Sequence, residues 1–152
     1  MVWSVKKILV PTDGSEVAEV AIDPAVTIAK NLGAEIIAIS VVPTSRSAVQ
    51  GEQMIHEVSK DMAEGYTDRI VKAAKDAGVK ARSVIRSGSP ADEIMKAARD
   101  EDVDLIVMGT QGRHGTKRWT GSVTSAVITY GPVPVLGVRK KEPDIWERYM
   151  GL

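Results

Sequence analysis

Apolar runs and stretches of helical periodicity alternate along the chain. Lys7-Ile8-Leu9-Val10-Pro11-Thr12 is a short, nearly continuous apolar run, and Ile36-Ile37-Ala38-Ile39-Ser40-Val41-Val42 repeats the pattern. Continuous rather than alternating hydrophobicity predicts strands covered on both faces, as in a parallel sheet. The first run stops at Asp13-Gly14-Ser15, a turn and helix-cap signal. Ala18, Ala21, Ile22, Ala25, Val26, Ile28, Ala29 and Leu32 then follow at near-helical spacing up to Gly33, and Pro24 among them predicts a kink or a late start. Residues 43–51 read as a connection. Ile55, Val58, Met62, Tyr66, Ile70, Ala73 and Ala77 recur every three or four residues, so a long amphipathic helix is predicted to end at Gly78.

Residues 79–86 alternate and predict a third strand at a sheet edge. Ser89-Pro90-Ala91-Asp92 combines a cap, a proline suited to the first helical position and an acidic first turn, so a helix is predicted from there to Asp100. Residues 103–108 predict a fourth strand and 123–130 a short helix stopped by Gly131-Pro132. Val133-Pro134-Val135-Leu136-Gly137-Val138 predicts a fifth strand, and residues 139–152 a charged tail carrying Trp146, Tyr149 and Met150. The order β-α-β-α-β-α-β-α-β implies a parallel sheet with right-handed crossovers and helices on both faces. Ligands of such sheets bind at the C-terminal strand ends, near the point where strand order reverses. The loops at 11–15 and 109–122 are therefore the first candidates for a site.

Composition narrows the function classes. At 152 residues one domain is expected, large enough to need no metal or disulfide staple. Twenty Lys and Arg balance twenty Asp and Glu, which argues against non-specific nucleic-acid binding. With no cysteine, thiolate nucleophiles, disulfides and Cys-ligated zinc are excluded, and with only two histidines, His56 and His114, so is a His-rich metal site. No apolar run approaches the roughly 20 residues of a membrane span. Met1-Val2-Trp3-Ser4-Val5-Lys6-Lys7 lacks a signal-peptide core. A cytoplasmic protein is expected, with no nucleic-acid or membrane partner.

The stretch Met108-Gly109-Thr110-Gln111-Gly112-Arg113-His114-Gly115 continues through Lys117-Arg118-Trp119-Thr120 to Gly121-Ser122-Val123-Thr124. It is neither a Walker loop, which closes on Gly-Lys-Ser/Thr, nor the dinucleotide fingerprint, which follows the first strand. Its chemistry still suits an anion. Glycines let backbone approach a ligand, and a helix opening at Gly121-Ser122 offers free amides and a positive dipole end. Ser122 and Thr124 add hydroxyls, and Arg113, His114, Lys117 and Arg118 add positive charge. The alternative is a shaped turn with Ser122 as an ordinary N-cap and solvated basic residues. Asp13, directly after the first strand, suits a ribose hydroxyl or a metal-bound water; local sequence alone favours it as the N-cap of the first helix. Neither Ser15 nor Ser122 has a base nearby in sequence, so no catalytic triad assembles and no catalytic residue is assigned.

The chain resembles the universal stress protein family, in its ATP-binding branch. The likeness runs from Lys6-Lys7-Ile8-Leu9-Val10-Pro11-Thr12-Asp13-Gly14-Ser15 through Gly88-Ser89-Pro90-Ala91-Asp92-Glu93-Ile94 and Asp104-Leu105-Ile106-Val107-Met108-Gly109-Thr110 to Pro132-Val133-Pro134-Val135-Leu136-Gly137-Val138-Arg139. The branch motif is G-x2-G-x9-G-[ST]; here eight residues rather than nine separate Gly112 from Gly121-Ser122. The deletion falls between the anchors, where the loop can absorb it. The resemblance implies a single-domain α/β fold over residues 1–140, an open parallel five-stranded sheet of order 3-2-1-4-5, Rossmann-like. Residues 141–152 remain as a C-terminal tail, which either covers the edge of the last strand within one subunit or packs on a dimer partner.

By position, the resemblance sets Pro11, Thr12 and Asp13 on the adenosine side, with Asp13 on the ribose and the Val41 backbone at the adenine edge. Met108 and Gly109 become the floor, and Gly112, Arg113, Gly121, Ser122, Val123 and Thr124 surround the triphosphate. The implied cofactor is ATP, or ADP or AMP, with Mg2+ held by the phosphates and no metal ligand assigned in the protein. The implied assembly is a homodimer through the last strand, Val133 to Val138. The function expected is a nucleotide-dependent regulatory switch in stress response, with slow or no hydrolysis. The alternatives are a nucleotide-free scaffold and a slow ATP hydrolase. Pyrophosphatase-type relatives carry Ser-Gly-Gly-x-Asp-Ser after strand one, where this chain has Pro-Thr-Asp-Gly-Ser-Glu.

Overall fold

A computed structural model describes residues 2–44, 52–110, 120–140 and 151, with the backbone alone at 52–59, 120 and 121. Five parallel strands, β1 (Lys7–Pro11), β2 (Glu35–Pro43), β3 (Ala81–Gly88), β4 (Leu105–Gly109) and β5 (Val135–Val138), form one sheet of order β3-β2-β1-β4-β5. Both the predicted order and the predicted edge position of the third strand are found. The helices are α1 (Glu16–Glu19), α2 (Ile22–Leu32), α3 (Glu52–Asp76), α4 (Pro90–Asp100) and α5 (Thr120–Tyr130).

The side-chain period of two divides the core between the two faces of the sheet. Ile8, Val10, Ile36, Ala38, Leu105 and Val107 face one side with Ala25 and Ala29 of α2 and Ile70 and Ala74 of α3. Leu9, Ile37, Ile39, Val41, Ile106 and Met108 face the other with Ile94 and Ala97 of α4 and Val123 and Val127 of α5. Burial on both faces explains why β1, β2 and β4 read as unbroken apolar runs.

Several boundaries differ from the sequence expectation. The first helical stretch is two helices, because Pro24 has no N–H for the Val20 carbonyl one turn back and so ends the ladder there. Pro24 then sits in the first turn of α2, where no N–H is needed. The third strand starts two residues later than predicted and the helix over the fourth loop three residues earlier. Ser89 is the N-cap of α4 with Pro90 following, yet its side chain makes no capping bond; its carbonyl accepts from Glu93 N instead. Helices α2 and α3 both stop at left-handed glycines, Gly33 at φ 67 and Gly78 at φ 79. The predicted tail, 141–152, lies outside the described residues except Gly151.

Candidate functional site

Strand order reverses between β1 and β4, and the two strands part there. Their pairing runs through Ile8↔Leu105 and Leu9↔Ile106 and ends, while β1 continues to Pro11 and β4 to Gly109. β4 stays paired with β5 up to Gly109↔Val138, and β1 with β2 up to Pro11↔Ile39. A crevice therefore opens at the C-terminal ends of the two central strands, the position at which α/β sheets receive ligands.

The β1–α1 loop forms one wall. Thr12 N donates to the Ile39 carbonyl at 2.9 Å, carrying the chain one residue beyond β1. Asp13 is buried, 5% exposed, and one of its carboxyl oxygens accepts from both Ser15 N, at 3.0 Å, and Ser15 Oγ. Ser15 Oγ in turn accepts from Ala18 N at 3.1 Å, so Ser15, and not Asp13, caps α1. Local sequence favoured Asp13 as the cap; the structure instead uses its carboxyl to orient the cap. Gly14, at φ +74, sits between them, and its N–H donates to Thr12 Oγ1 at 3.0 Å. A Cβ there would lie 2.2 Å from the Tyr66 ring of α3.

Val41 completes this side through its backbone. Glu35 N bonds to Lys6 on the β1 side, and Ile36 N to Lys80 on the β3 side. Odd residues of β2 therefore turn their amides and carbonyls toward β1, as the Ile39 carbonyl does toward Thr12. Val41 has this parity and stands beyond the last β1–β2 pair. Its amide and carbonyl thus face the space above the end of β1, where a planar ligand edge could pair with them.

The opposite wall is the end of β4 with the start of α5. Gly109 is held from two directions. Its Cα packs so closely on α1 that a Cβ would meet the Val17 carbonyl oxygen at 1.9 Å, and its own carbonyl accepts from Thr124 Oγ1 at 2.8 Å. Thr124 is buried, so its hydroxyl proton is committed to fastening α5 on β4 rather than offered to a ligand. Ser122 lies in the third position of α5, within its first turn, and is exposed; the N-cap reading of Ser122 is not what forms. This first turn is the positive end of the α5 dipole. Met108 and Val123 are buried behind this wall.

Among the predicted site residues, Pro11, Thr12, Asp13, Val41, Met108, Gly109, Ser122, Val123 and Thr124 thus come from the elements that border the crevice. Gly121 lies in the backbone of the first turn of α5. Gly112 and Arg113, with His114, Lys117, Arg118 and Trp119, lie outside the described residues. Among the described residues no group of three or more His, Asp or Glu is arranged to hold a metal ion. Nor is any helix among them long and apolar enough to cross a membrane.

Comparison with known proteins decides the family. The profile of the Universal stress protein family matches residues 4–139. The chain belongs to the universal stress protein family. It is 39% identical over 144 residues to universal stress protein MJ0531 of Methanocaldococcus jannaschii, covering 91% of this chain and 85% of that protein. Among solved structures, hypothetical protein MJ0577 superposes with a TM-score of 0.73 at 34% identity, over 93% of this chain and 99% of its own. A universal stress protein solved in complex with cAMP has a TM-score of 0.62 at 25% identity, over 90% and 98%. The family and the α/β sheet that the resemblance implied are thereby established.

Sequence reasoning missed two participants in the site. Tyr66 stands in the sequence only as one apolar position of α3, and Val17 is not singled out at all. The available signal was weak: Gly14 and Gly109, at loop-and-strand junctions, each announce a close neighbour without naming it.

Proposed function

We propose that this member of the universal stress protein family binds an adenine nucleotide in the crevice between β1 and β4 and acts as a nucleotide-dependent regulator. The observation that carries the reading is the backbone of Val41, turned toward the space above β1 on one side of a crevice that the first turn of α5 borders on the other. Adenine offers a donor and an acceptor along one edge, which matches an amide and a carbonyl of one residue. Asp13, held by Ser15, suits ribose hydroxyls. The positive dipole end at the start of α5, with Gly121 and Ser122 in its first turn, suits phosphate oxygens. Thr124 and Gly109 act as braces of this wall. The cAMP complex of a relative lends support to an adenine nucleotide as ligand class.

ATP with Mg2+ is the proposed ligand. Bound, the nucleotide supplies a triphosphate whose oxygens can carry the metal, which fits a site whose nearby acidic residue is Asp13. No base is assigned to activate water, so hydrolysis is expected to be slow and the nucleotide to act as a signal. We further propose a homodimer through β5, since Leu136 of β5 and Ile128 and Tyr130 of the adjoining α5 are exposed apolar residues.

Titration with a fluorescent ATP analogue and Mg2+ tests the reading. Saturable binding competed by ATP is expected; no binding at millimolar nucleotide overturns it. The loop between Gly112 and Gly121, one residue shorter than the branch motif, favours a nucleotide-free scaffold as the second reading. Mass spectrometry of gently purified protein separates the two by the presence or absence of bound nucleotide.

A further inference from the structure

The loop that carries Asp13 is held by α3, a helix from the other side of the chain's first crossover. Gly14 lies between Asp13 and Ser15, the two residues joined by hydrogen bonds. The edge of the Tyr66 ring occupies the place where a side chain on Gly14 would stand: three ring carbons lie within 2.5 Å of that point. The guanidinium of Arg69 lies over the same ring, 5.6 Å from its centroid, within cation–π range. Arg69 also pairs with Glu19 of α1. A single face of α3 therefore clasps the turn at Gly14 and the helix that follows it.

We infer that Tyr66 is a positioning residue for the nucleotide site: its ring fixes the turn that aims the Asp13 carboxyl, and so sets how well the protein distinguishes ribose from a sugar without hydroxyls. This rests on the nucleotide-binding reading above. The physical argument is steric. Gly14 is in a left-handed conformation with the ring against its Cα, so the peptide units on either side of it cannot rotate while the ring is in place. Remove the ring, and Asp13 and Ser15 keep their local hydrogen bonds but the turn as a whole gains freedom relative to β4 and α5. The start of α5 on the far wall is fastened separately, through Thr124 to the Gly109 carbonyl.

The test compares affinity for ATP and for 2′,3′-dideoxy-ATP in the full chain, each with Mg2+. The wild type is expected to prefer ATP by about tenfold, the effect of a hydrogen bond to a charged group. Tyr66→Ala should bring the ratio close to one, mainly by weakening ATP. Tyr66→Phe, which keeps the ring, should retain the ratio. Arg69→Ala should lower it partially, and this exposed substitution decides the matter if Tyr66→Ala does not fold. An unchanged ratio in a folded Tyr66→Ala, or equal weakening of both nucleotides, overturns the positioning role while leaving nucleotide binding intact. Loss of the ratio in Tyr66→Phe overturns the role of the ring. A wild type that binds neither nucleotide overturns the nucleotide reading itself, and the role of Tyr66 with it.

Discussion

The two ends of the sheet both collect charge, loops and helix termini, yet they differ in the sign of the helix ends they present. At the C-terminal end, Thr12, Asp13, Ser15 and Thr124 are buried polar residues whose hydrogen bonds shape backbone. The start of α5 is fastened there through Thr124, which sets its positive dipole end at this end of the sheet. At the N-terminal end lies a cavity of about 760 Å3 whose lining includes Lys6, Lys7, Lys30, Lys80 and Glu35. It looks like an anion pocket by composition. But α2 and α3 end there, at Gly33 and Gly78, so the lysines face the negative ends of two helices. Lys7 Nζ donates to the Glu101 carbonyl at 3.2 Å, and Lys80 pairs with Glu35 at 3.4 Å. Charge already answered by helix ends and a carboxylate leaves little for a ligand. Size and lysine content thus point away from the proposed site, and dipole direction points toward it.

Substitutions that treat the two ends alike should expose this difference. Gly109→Val at the upper end drives a side chain into the Val17 carbonyl and should cost about 3 kcal/mol, as a shift in the urea midpoint. Gly33→Ala at the lower end meets nothing within 4 Å and should cost only about 1 kcal/mol, from its positive φ. Thr124→Val leaves the Gly109 carbonyl without its donor and should destabilise by about 2 kcal/mol, with α5 amides exchanging faster in hydrogen exchange. Asp13→Ala should weaken nucleotide binding by about tenfold, whereas Lys80→Ala should leave it unchanged; equal effects would erase the distinction between the ends.

The smallest effect is a pH dependence on the β3 side. The Arg82 guanidinium, hydrogen-bonded to Glu101, holds that carboxyl below its ordinary value. Its ionised form therefore stabilises the fold above the unfolded pKa, and that contribution is lost as pH falls through the lower folded value. Because the Arg82 side chain is 46% exposed, the loss should stay below about 1 kcal/mol, and Arg82→Ala should flatten this part of the acid melting profile.

The parts of the fold that local chemistry controls were legible. Continuous apolar runs identified β1, β2 and β4, and Gly33 and Gly78 marked the ends of α2 and α3. Asp13 could be singled out because a polar residue directly after a buried strand falls at the strand end where ligands bind. The rest depends on contacts between distant segments. Whether Asp13 or Ser15 capped α1 turned on how one carboxyl folds back on a hydroxyl, since both residue types cap well. Thr124 looked like a phosphate donor because nothing in the sequence says that its hydroxyl would meet a carbonyl fifteen residues away. Tyr66 and Gly14 lie 52 positions apart (66 − 14), so their contact left no periodic trace.

The outer strands of the sheet have a consequence for growth. β3 presents eight residues to one side, including Arg82 and Arg86, which are tied to Glu101, Glu93 and Asp100 of α4 and its C-cap. β5 presents four, Val135-Leu136-Gly137-Val138, with no charge among them. Strand addition at β3 would have to displace or bury ionised side chains, whereas at β5 it would not. In the proposed dimer through β5, both outer borders would be β3, the one that carries paired charge. The proposed dimer would thus be self-limiting, with no uncharged strand border left for a third copy to extend.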